Sequence, residues 1–286
     1  MVGQRTLDPF ILVRIQAQQL MKLLSLNVSI FDDNNDKLTR FLKETSTDIV
    51  CLQEVTRKVE DTALDSFITK DAVDKATPEL TNSFFAPNWV LRDFEIPNFH
   101  GKEIFQHDFG GFIEIGNYVR SSFKIIEGKG VFVQGDFSYI TDWKWNLGQE
   151  PRIVQVVNLK INSQRLRIIN YHGIWSRDKK DTDRTRLVSN KLLQLASEVA
   201  QPTIICGDFN LFPDTSSIKI LRDKFRSLVD EFNIMSTRPR SNVHNSTTKR
   251  NVIDYIFINE KVEVKRFNVM ESDVSDHLPL FLEFNI

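Results

Sequence analysis

The sequence predicts an α/β fold in which two mostly antiparallel β-sheets pack face to face and helices cover the outside. Ten runs rich in β-branched and aliphatic residues are typical of strands, whereas few segments have the spacing of an amphipathic helix. Several of these runs follow one another with no helix between them, as strands of antiparallel sheets do. A chain of 286 residues also buries enough surface to fold without a disulfide or a structural metal.

The apolar spacing places each predicted element in turn along the chain. The predicted strands cover residues 23–28, 49–52, 111–115, 123–126, 153–161, 166–171, 203–206, 252–258, 262–269 and 278–284. Helical patterns cover residues 35–44 and 185–199, and shorter helices are predicted over 216–222 and 226–232. Residues 57–75 are predicted to form a further helix. The segment from Phe84 to Phe99 is predicted to be an aromatic-rich loop.

Charge and cysteine content argue against several classes of protein. Lys and Arg total 37 against 38 Asp and Glu, and a net charge of −1 is untypical of a strongly basic, histone-like binder. Cys51 and Cys206 lie inside apolar runs and are predicted to be reduced, buried residues of a cytoplasmic protein. No stretch reaches the ~18–20 apolar residues of a membrane span, so no stable membrane insertion is predicted. The sequence indicates no obligate protein partner.

Polar side chains at the ends of apolar strands form the most informative pattern. Five of them follow strand-like runs, and three stand at the start of later strands. If the later strands run antiparallel to the others, all of these side chains meet at one edge of the fold. The two groups are Asn27, Glu54, His172, Asp208 and Asn210, and Asp254, Asp276 and His277.

Electrostatics indicates what such a pocket would hold. Glu54, Asp208, Asp254 and Asp276 would place up to four carboxylates together, and each like-charged pair ~6 Å apart costs roughly 2–3 kcal/mol at an effective dielectric constant near 20. Protons or cations must therefore neutralise the cluster. Oxygen donors without cysteine suit Mg²⁺ or Mn²⁺ better than zinc, and the natural chemistry is phosphoryl transfer to water.

Each motif taken alone also fits a turn or a loop, but their conjunction resembles the endonuclease/exonuclease/phosphatase family. The resemblance implies a four-layered α/β/β/α sandwich over residues 21–286, with residues 1–20 as an N-terminal extension. The motifs that carry it are Leu26-Asn27-Val28, Cys51-Leu52-Gln53-Glu54-Val55, Asn170-Tyr171-His172, Gly207-Asp208-Phe209-Asn210, Ile253-Asp254-Tyr255-Ile256-Phe257 and Ser275-Asp276-His277-Leu278-Pro279.

The resemblance also implies roles for these residues. Glu54 would be the principal ligand of Mg²⁺ or Mn²⁺, with Asn27 and Asp276 near the same ion. Asp208 and Asn210 would position the attacking water and the phosphate, or hold a second ion. His277, oriented by Asp254, would contact the phosphate as general base or electrostatic partner. His172 would stabilise or protonate the leaving side.

The substrate is predicted less sharply than the reaction. Asn27 is followed by Val28-Ser29-Ile30-Phe31, which does not favour abasic-site cleavage, and the motif of inositol-polyphosphate phosphatases is absent. In the loop after His172, a tryptophan could stack on a base and arginines could bind phosphates, or the loop could be only a solvated surface. These residues are Trp175, Arg177, Arg184 and Arg186.

A nuclease acting on DNA or RNA is therefore the leading prediction. A phosphatase or phosphodiesterase of a small-molecule or lipid-headgroup phosphate is the alternative, and a catalytically inactive binding module is a third possibility.

Overall fold

The computed structural model describes residues 20–30, 35–99, 102–140, 148–239 and 250–286. Except for Leu20, the predicted extension over residues 1–20 lies outside the described residues. The strands are β1 (Met21–Asn27), β2 (Ile49–Lys58), β3 (Asn82–Phe99), β4 (Lys102–Ser121), β5 (Lys124–Gln134), β6 (Ser138–Ile140), β7 (Arg152–Ile161), β8 (Gln164–Tyr171), β9 (Thr203–Asp208), β10 (Arg226–Ser227), β11 (Asp254–Ile258), β12 (Glu263–Val269) and β13 (Leu280–Asn285). The helices are α1 (Asn35–Thr45), α2 (Thr69–Ala76), α3 (Asp183–Ser197), α4 (Ser216–Arg222) and α5 (Leu228–Glu231), and Asp65–Phe67 form a 3₁₀ turn.

The strands form two sheets, as predicted. The first sheet has the order β12-β13-β1-β2-β4-β3-β6, and the second has the order β10-β11-β9-β8-β7-β5. Neighbours are parallel in β1–β2, β3–β6 and β8–β9, and antiparallel in the remaining pairs. The prediction of two mostly antiparallel sheets is therefore confirmed.

Burial on both faces explains the layers outside the sheets. Leu23 of β1 packs in the cluster that contains the second sheet, whereas the next residue, Leu24, packs with Leu38 of α1 and Val73 of α2. Successive side chains of a strand point to opposite faces, so β1 must be apolar on both. Leu192 of α3 belongs to the cluster of the second sheet. The architecture is the predicted α/β/β/α sandwich.

Two local predictions were wrong. Residues 57–75 do not form one helix, because β2 continues to Lys58 by pairing with β4, and α2 begins only at Thr69. The segment from Phe84 to Phe99 is not a loop but most of strand β3, which pairs with β4 from Asn82↔Ser121 to Phe99↔Lys102. For β2 a pairing partner distant in sequence decides the structure, and for β3 the pairing with the strand that follows it decides the structure.

Buried amides join the two sheets directly beneath the polar edge. Gln53 of β2 donates to Asn170 Oδ1 of β8 at 2.7 Å, and Asn170 Nδ2 donates to Leu52 O at 3.0 Å. Gln155 of β7 donates to Asn117 O of β4 at 3.1 Å, and Asn117 Nδ2 donates back to Asn170 O at 3.3 Å. These directional bonds fix how the sheets are aligned.

Candidate active site

The strand ends meet at one edge, because the later strands run antiparallel to their neighbours, as the prediction required. Asp254, the first residue of β11, stands directly opposite Asp208, the last residue of β9, in the antiparallel register. β13 runs antiparallel to β1, so the residues before β13 lie near the end of β1. Ser275 Oγ donates to Asn27 O at 2.7 Å and ties this segment to the edge.

Glu54 reaches the site through a bulge. The prediction placed it after the end of its strand, but β2 continues for four residues beyond it, to Lys58. The register with β4 shifts between Leu52 and Val55, and Glu54 has a φ of 58°. A left-handed backbone at a residue other than glycine costs of the order of 1 kcal/mol, and such strain concentrates at functional sites. The bulge turns the Glu54 carboxylate toward the end of β1, where the Ile30 N–H donates to Oε2 at 2.9 Å.

Asn27 links the carboxylates contributed by the two sheets. Its Nδ2 donates to Glu54 Oε1 at 3.0 Å and to Asp208 Oδ2 at 3.1 Å, and its Oδ1 accepts the Ser29 N–H at 3.0 Å. Burial raises the pKa of Glu54, the bonds from Asn27 and Ile30 oppose that shift, and the negative charge of Asp276 adds to it. Burial and the charge of Asp276 therefore outweigh the stabilisation of the Glu54 carboxylate by its two hydrogen bonds and by His277.

Asp208 and Asn210 form a tight unit at the end of β9. The Asn210 N–H donates to Asp208 Oδ1 at 2.8 Å, and Asn210 Nδ2 donates to Asp208 Oδ2 at 3.1 Å. Gly207 lets β9 approach β8, because a β-carbon at this position would lie 2.0 Å from Tyr171 O, and its φ is +133°. Burial would raise the pKa of Asp208, but positively charged neighbours, His277 foremost, hold it below its usual value.

His277 lies between acidic groups and carries a charge. Its Nδ1 is 2.9 Å from Asp254 Oδ1, and its Nε2 is 3.7 Å from Asp208 Oδ2 and 3.9 Å from Asp276 Oδ1. Burial alone would lower the pKa of His277, but the three carboxylates raise it to about 9. Thr237 Oγ1 donates to Asp254 Oδ2 at 2.6 Å and fixes the carboxylate, a role that no sequence signal indicated.

His172 faces the same carboxylates but is neutral. Its Nε2 lies 3.5 Å from Glu54 Oε1 and 3.7 Å from Asp208 Oδ2. Burial, reinforced by the charge of Arg152, lowers the pKa of His172 well below its ordinary value. Its Nδ1 is buried with no hydrogen-bond partner in the described part of the chain. A neutral imidazole in this position can donate a hydrogen bond without adding a positive charge.

The predicted substrate-binding residues lie in different environments. Trp175 is half-buried and packs against the ammonium of Lys179, whereas Arg177 is exposed. Arg184, in the first turn of α3, is exposed and donates to Gln134 Oε1 at 2.9 Å. Arg186 forms ion pairs with Asp181 and Asp183. Arg186 therefore has its charge already paired, and substrate contact by these four residues remains a prediction.

A residue that the sequence did not single out completes the site. Lys179 is buried, and its Nζ donates to Asn210 Oδ1. Burial lowers the pKa of Lys179 to about 7, against the opposing effect of Asp208. Nothing in the sequence distinguishes it from its neighbour Lys180, which is exposed.

The donor set is chemically suited to a cation. Ligand atoms of Asp208, Asp254 and His277 lie within 4.8 Å of one another and could hold a metal ion. The pair between His277 and Asp254 already balances charge on that side. Glu54 and the partly exposed Asp276 supply carboxylate oxygens, and the charge of Asp276 raises the pKa of Glu54 by repulsion. A hard divalent cation would stabilise two such carboxylates together.

Comparisons with known proteins identify relatives of this arrangement. A sequence model described as the Endonuclease/Exonuclease/phosphatase family matches residues 24–277. A Beutenbergia cavernae endonuclease/exonuclease/phosphatase structure is similar with a TM-score of 0.67 and 14% identity, over 94% of this chain and 72% of that chain. The corresponding protein from Bacteroides vulgatus gives 0.64 and 14%, over 94% of this chain and 100% of that chain.

A third similar structure was solved with nucleic acid. D. rerio TDP2 in complex with a single-stranded DNA product gives a TM-score of 0.62 at 16% identity, over 93% of this chain and 99% of that chain. At such identities these structural similarities concern the fold. No curated protein matches the chain in sequence. Among the described residues, no helix is both long enough and apolar enough to span a membrane. Cys51 and Cys206 are buried and free, as predicted.

Proposed function

This chain belongs to the endonuclease/exonuclease/phosphatase family, whose enzymes generally hydrolyse phosphoester bonds, and we propose that it is a divalent-metal-dependent phosphodiesterase acting on DNA or RNA. One observation carries the proposal, namely that Glu54, Asp208 and His277 meet although they are far apart in sequence. Asn27 Nδ2 lies 3.0 Å from Glu54 and 3.1 Å from Asp208, and His277 Nε2 lies 3.7 Å from Asp208. Groups this close can act on a single phosphate.

Glu54 and Asp276 would hold the ion, which we propose to be Mg²⁺ or Mn²⁺. Asn27 lies next to Glu54, and its Oδ1 retains a second lone pair while it accepts the Ser29 N–H. When bound, a divalent ion supplies Lewis-acid polarisation of the phosphoryl oxygen and a template for in-line attack. The family is generally dependent on divalent metal ions. The raised pKa of Glu54 means that its carboxylate lacks sufficient positive charge nearby, and a divalent ion at this position would supply that charge.

The other side chains of the site would orient the attacking water, bind the phosphate and stabilise the leaving group. Asp208, whose pKa is held low, accepts hydrogen bonds and orients the attacking water. Asn210 positions the phosphate next to it. His277 would contact the phosphate as general base or electrostatic partner, and in the metal-free chain its pKa of about 9 keeps it protonated at neutral pH. His172 is neutral and donates from Nε2 toward the leaving oxygen.

Nucleic acid is the substrate class that the surroundings of the site support best. Trp175 and the exposed Arg177 lie in the loop after His172, the exposed Arg184 lies at the start of α3, and together they would offer stacking and phosphate contacts. D. rerio TDP2, which shares the fold, was solved with a single-stranded DNA product. We further propose that residues 21–286 are the catalytic domain, that residues 1–20 are an extension of it, and that the reduced thiols Cys51 and Cys206 indicate a cytoplasmic location.

A metal-dependent activity panel tests the proposal. The wild-type chain should hydrolyse single-stranded DNA, duplex DNA or RNA in Mg²⁺ or Mn²⁺, and EDTA should stop the reaction reversibly. Asp208→Asn should lower the rate by about 10²-fold or more, whereas Asp223→Asn, an exposed aspartate after α4, should leave it unchanged. Turnover that is confined to sphingomyelin or a phosphomonoester would overturn the nucleic-acid substrate, and turnover in EDTA would overturn the metal.

A further inference from the structure

A lysine beside the site has a backbone that is fixed in an unusual conformation. Lys179 lies in the loop between β8 and α3 with a φ of 52°, in the left-handed region that non-glycine residues rarely adopt. Its N–H donates to Ser176 O at 3.3 Å, and its carbonyl accepts the Phe212 N–H at 3.1 Å. The loop therefore holds this residue in place from two directions, one of them the segment that follows Asn210.

The Lys179 side chain is buried with its charge directed at the site. Its Nζ donates to Asn210 Oδ1 and lies 5.0 Å from the centre of the Trp175 ring. Within the described ranges, no carboxylate lies within ion-pairing distance of this nitrogen. A buried ammonium that lacks such a partner is unfavourable for folding. Its charge nevertheless acts on Asp208, whose low pKa it helps to maintain.

The contact with Lys179 determines which way the Asn210 amide faces. Because Oδ1 accepts from Lys179, Nδ2 points the other way and donates to Asp208 Oδ2 at 3.1 Å and to Gly173 O at 3.4 Å. A divalent ion bound to Asp208 would require oxygen donors at this point. Asp208 is instead next to the amide nitrogen of Asn210, and the ammonium group of Lys179 binds the other end of that amide. We refer to Asp208, Asn210 and Lys179 as the Asp208 side of the site.

From this arrangement we infer that Lys179 is the built-in cation of the Asp208 side, where it takes the place of a second divalent ion. It acts as a positioning residue, since it holds the Asn210 amide toward Asp208 and keeps Asn210 Oδ1 away from metal. The inference rests on the proposed function, because it assigns the single divalent ion to Glu54 and Asp276. The phosphate would then lie between the ion held by Glu54 and Asp276 and the Asp208–Asn210 unit that Lys179 positions.

Titration calorimetry with Mn²⁺ at pH 6, where Lys179 with its pKa of about 7 carries its charge, tests this inference in the absence of substrate. The wild-type chain should bind one Mn²⁺. Lys179→Met, which keeps the length of the side chain but frees Asn210 Oδ1 and removes the charge, should bind a second ion. Lys179→Arg, which retains a positive charge at this position, should bind one ion as the wild-type chain does. Lys180→Met, at the exposed neighbour, should also behave as wild type. In turnover assays, Lys179→Met should lower kcat by at least tenfold, and Lys180→Met should not.

Each outcome of the titration is decisive. Two Mn²⁺ ions on the wild-type chain, or Lys179→Met with the stoichiometry of wild type, would overturn the inference and leave the proposed function standing. A wild-type chain that binds no Mn²⁺ would remove the proposed metal centre and the inference with it. Thermal unfolding reports whether the variants fold. If Lys179→Met does not fold, Lys179→Gln, which also removes the charge, is titrated in its place, and a single bound Mn²⁺ would equally overturn the inference.

Discussion

The Asp254–His277 pair offers the sharpest test of the electrostatics of the site. His277 Nδ1 lies 2.9 Å from Asp254 Oδ1, both groups are buried, and the pKa of His277 is about 9. Asp254→Asn keeps an acceptor for the imidazole N–H but removes the negative charge. Asp208 and Asp276, at 3.7 and 3.9 Å from Nε2, remain in place. We therefore expect the pKa of His277 to fall by about 1–2 pH units, equivalent to roughly 1.5–3 kcal/mol between its two protonation states.

The pH dependence of stability has a definite sign. A raised pKa means that the folded state holds its proton more tightly, so the stabilisation is complete below the unfolded pKa near 6.5 and is lost as pH rises through about 9. The loss of stability caused by Asp254→Asn should therefore be fully developed below about pH 6.5 and should shrink toward pH 9. Urea unfolding in EDTA measures this difference without any contribution from bound metal.

NMR titration of the imidazole proton resonances gives the pKa directly. The chain has 5 histidines, and His277→Gln identifies the resonance to follow. Glu263→Gln is the matched control, because it removes an exposed carboxylate in β12 that pairs with Lys265. A pKa for His277 that stays near 9 in Asp254→Asn would refute the assignment of the shift to this carboxylate. Hydrolysis by Asp254→Asn should fall by about 10²–10⁴-fold.

Two further substitutions test other parts of the site. Glu54→Gln should abolish hydrolysis and lower the free energy of unfolding in EDTA by no more than about 1–3 kcal/mol, because the amide keeps an acceptor for only one of the two donors, Asn27 Nδ2 and the Ile30 N–H. A larger loss of stability in urea would contradict this. Asn170→Leu should cost about 2–4 kcal/mol, because it removes one hydrogen bond each from the buried Gln53 side chain, the Gln155 side chain and the Leu52 carbonyl. A loss below 1 kcal/mol in the same measurement would show that the buried amides do little to hold the sheets.

Most residues of the polar edge could be predicted because a strand end can be recognised from a few neighbouring residues in the sequence. An apolar run followed by a polar residue marks a strand end, as for Asn27, His172 and Asp208, and the antiparallel order of the later strands brings Asp254 opposite Asp208. The position of each strand end can be recognised within a single run of the sequence, and only the meeting of Asp254 and Asp208 needs the antiparallel pairing of two strands.

The features that could not be predicted depend on partners distant in sequence. The bulge at Glu54 arises from the register of β2 on β4, and the failure of the predicted helix over residues 57–75 has the same origin. Lys179 and Lys180 are adjacent and chemically identical, and only the path of the loop buries the first and exposes the second. Thr237 likewise reaches Asp254 only through the folded chain.

The buried amides between the sheets have a consequence for the geometry of the polar edge. Asn27 and Glu54 come from one sheet, and His172 and Asp208 from the other, so a small slip between the layers would pull the acidic and imidazole groups out of alignment. Aliphatic contacts alone tolerate such slippage, whereas Gln53 and Asn170 can bond in only one relative placement. Folding of the chain thus already fixes the geometry of these groups, and a phosphate bound as proposed would require little further ordering of the site.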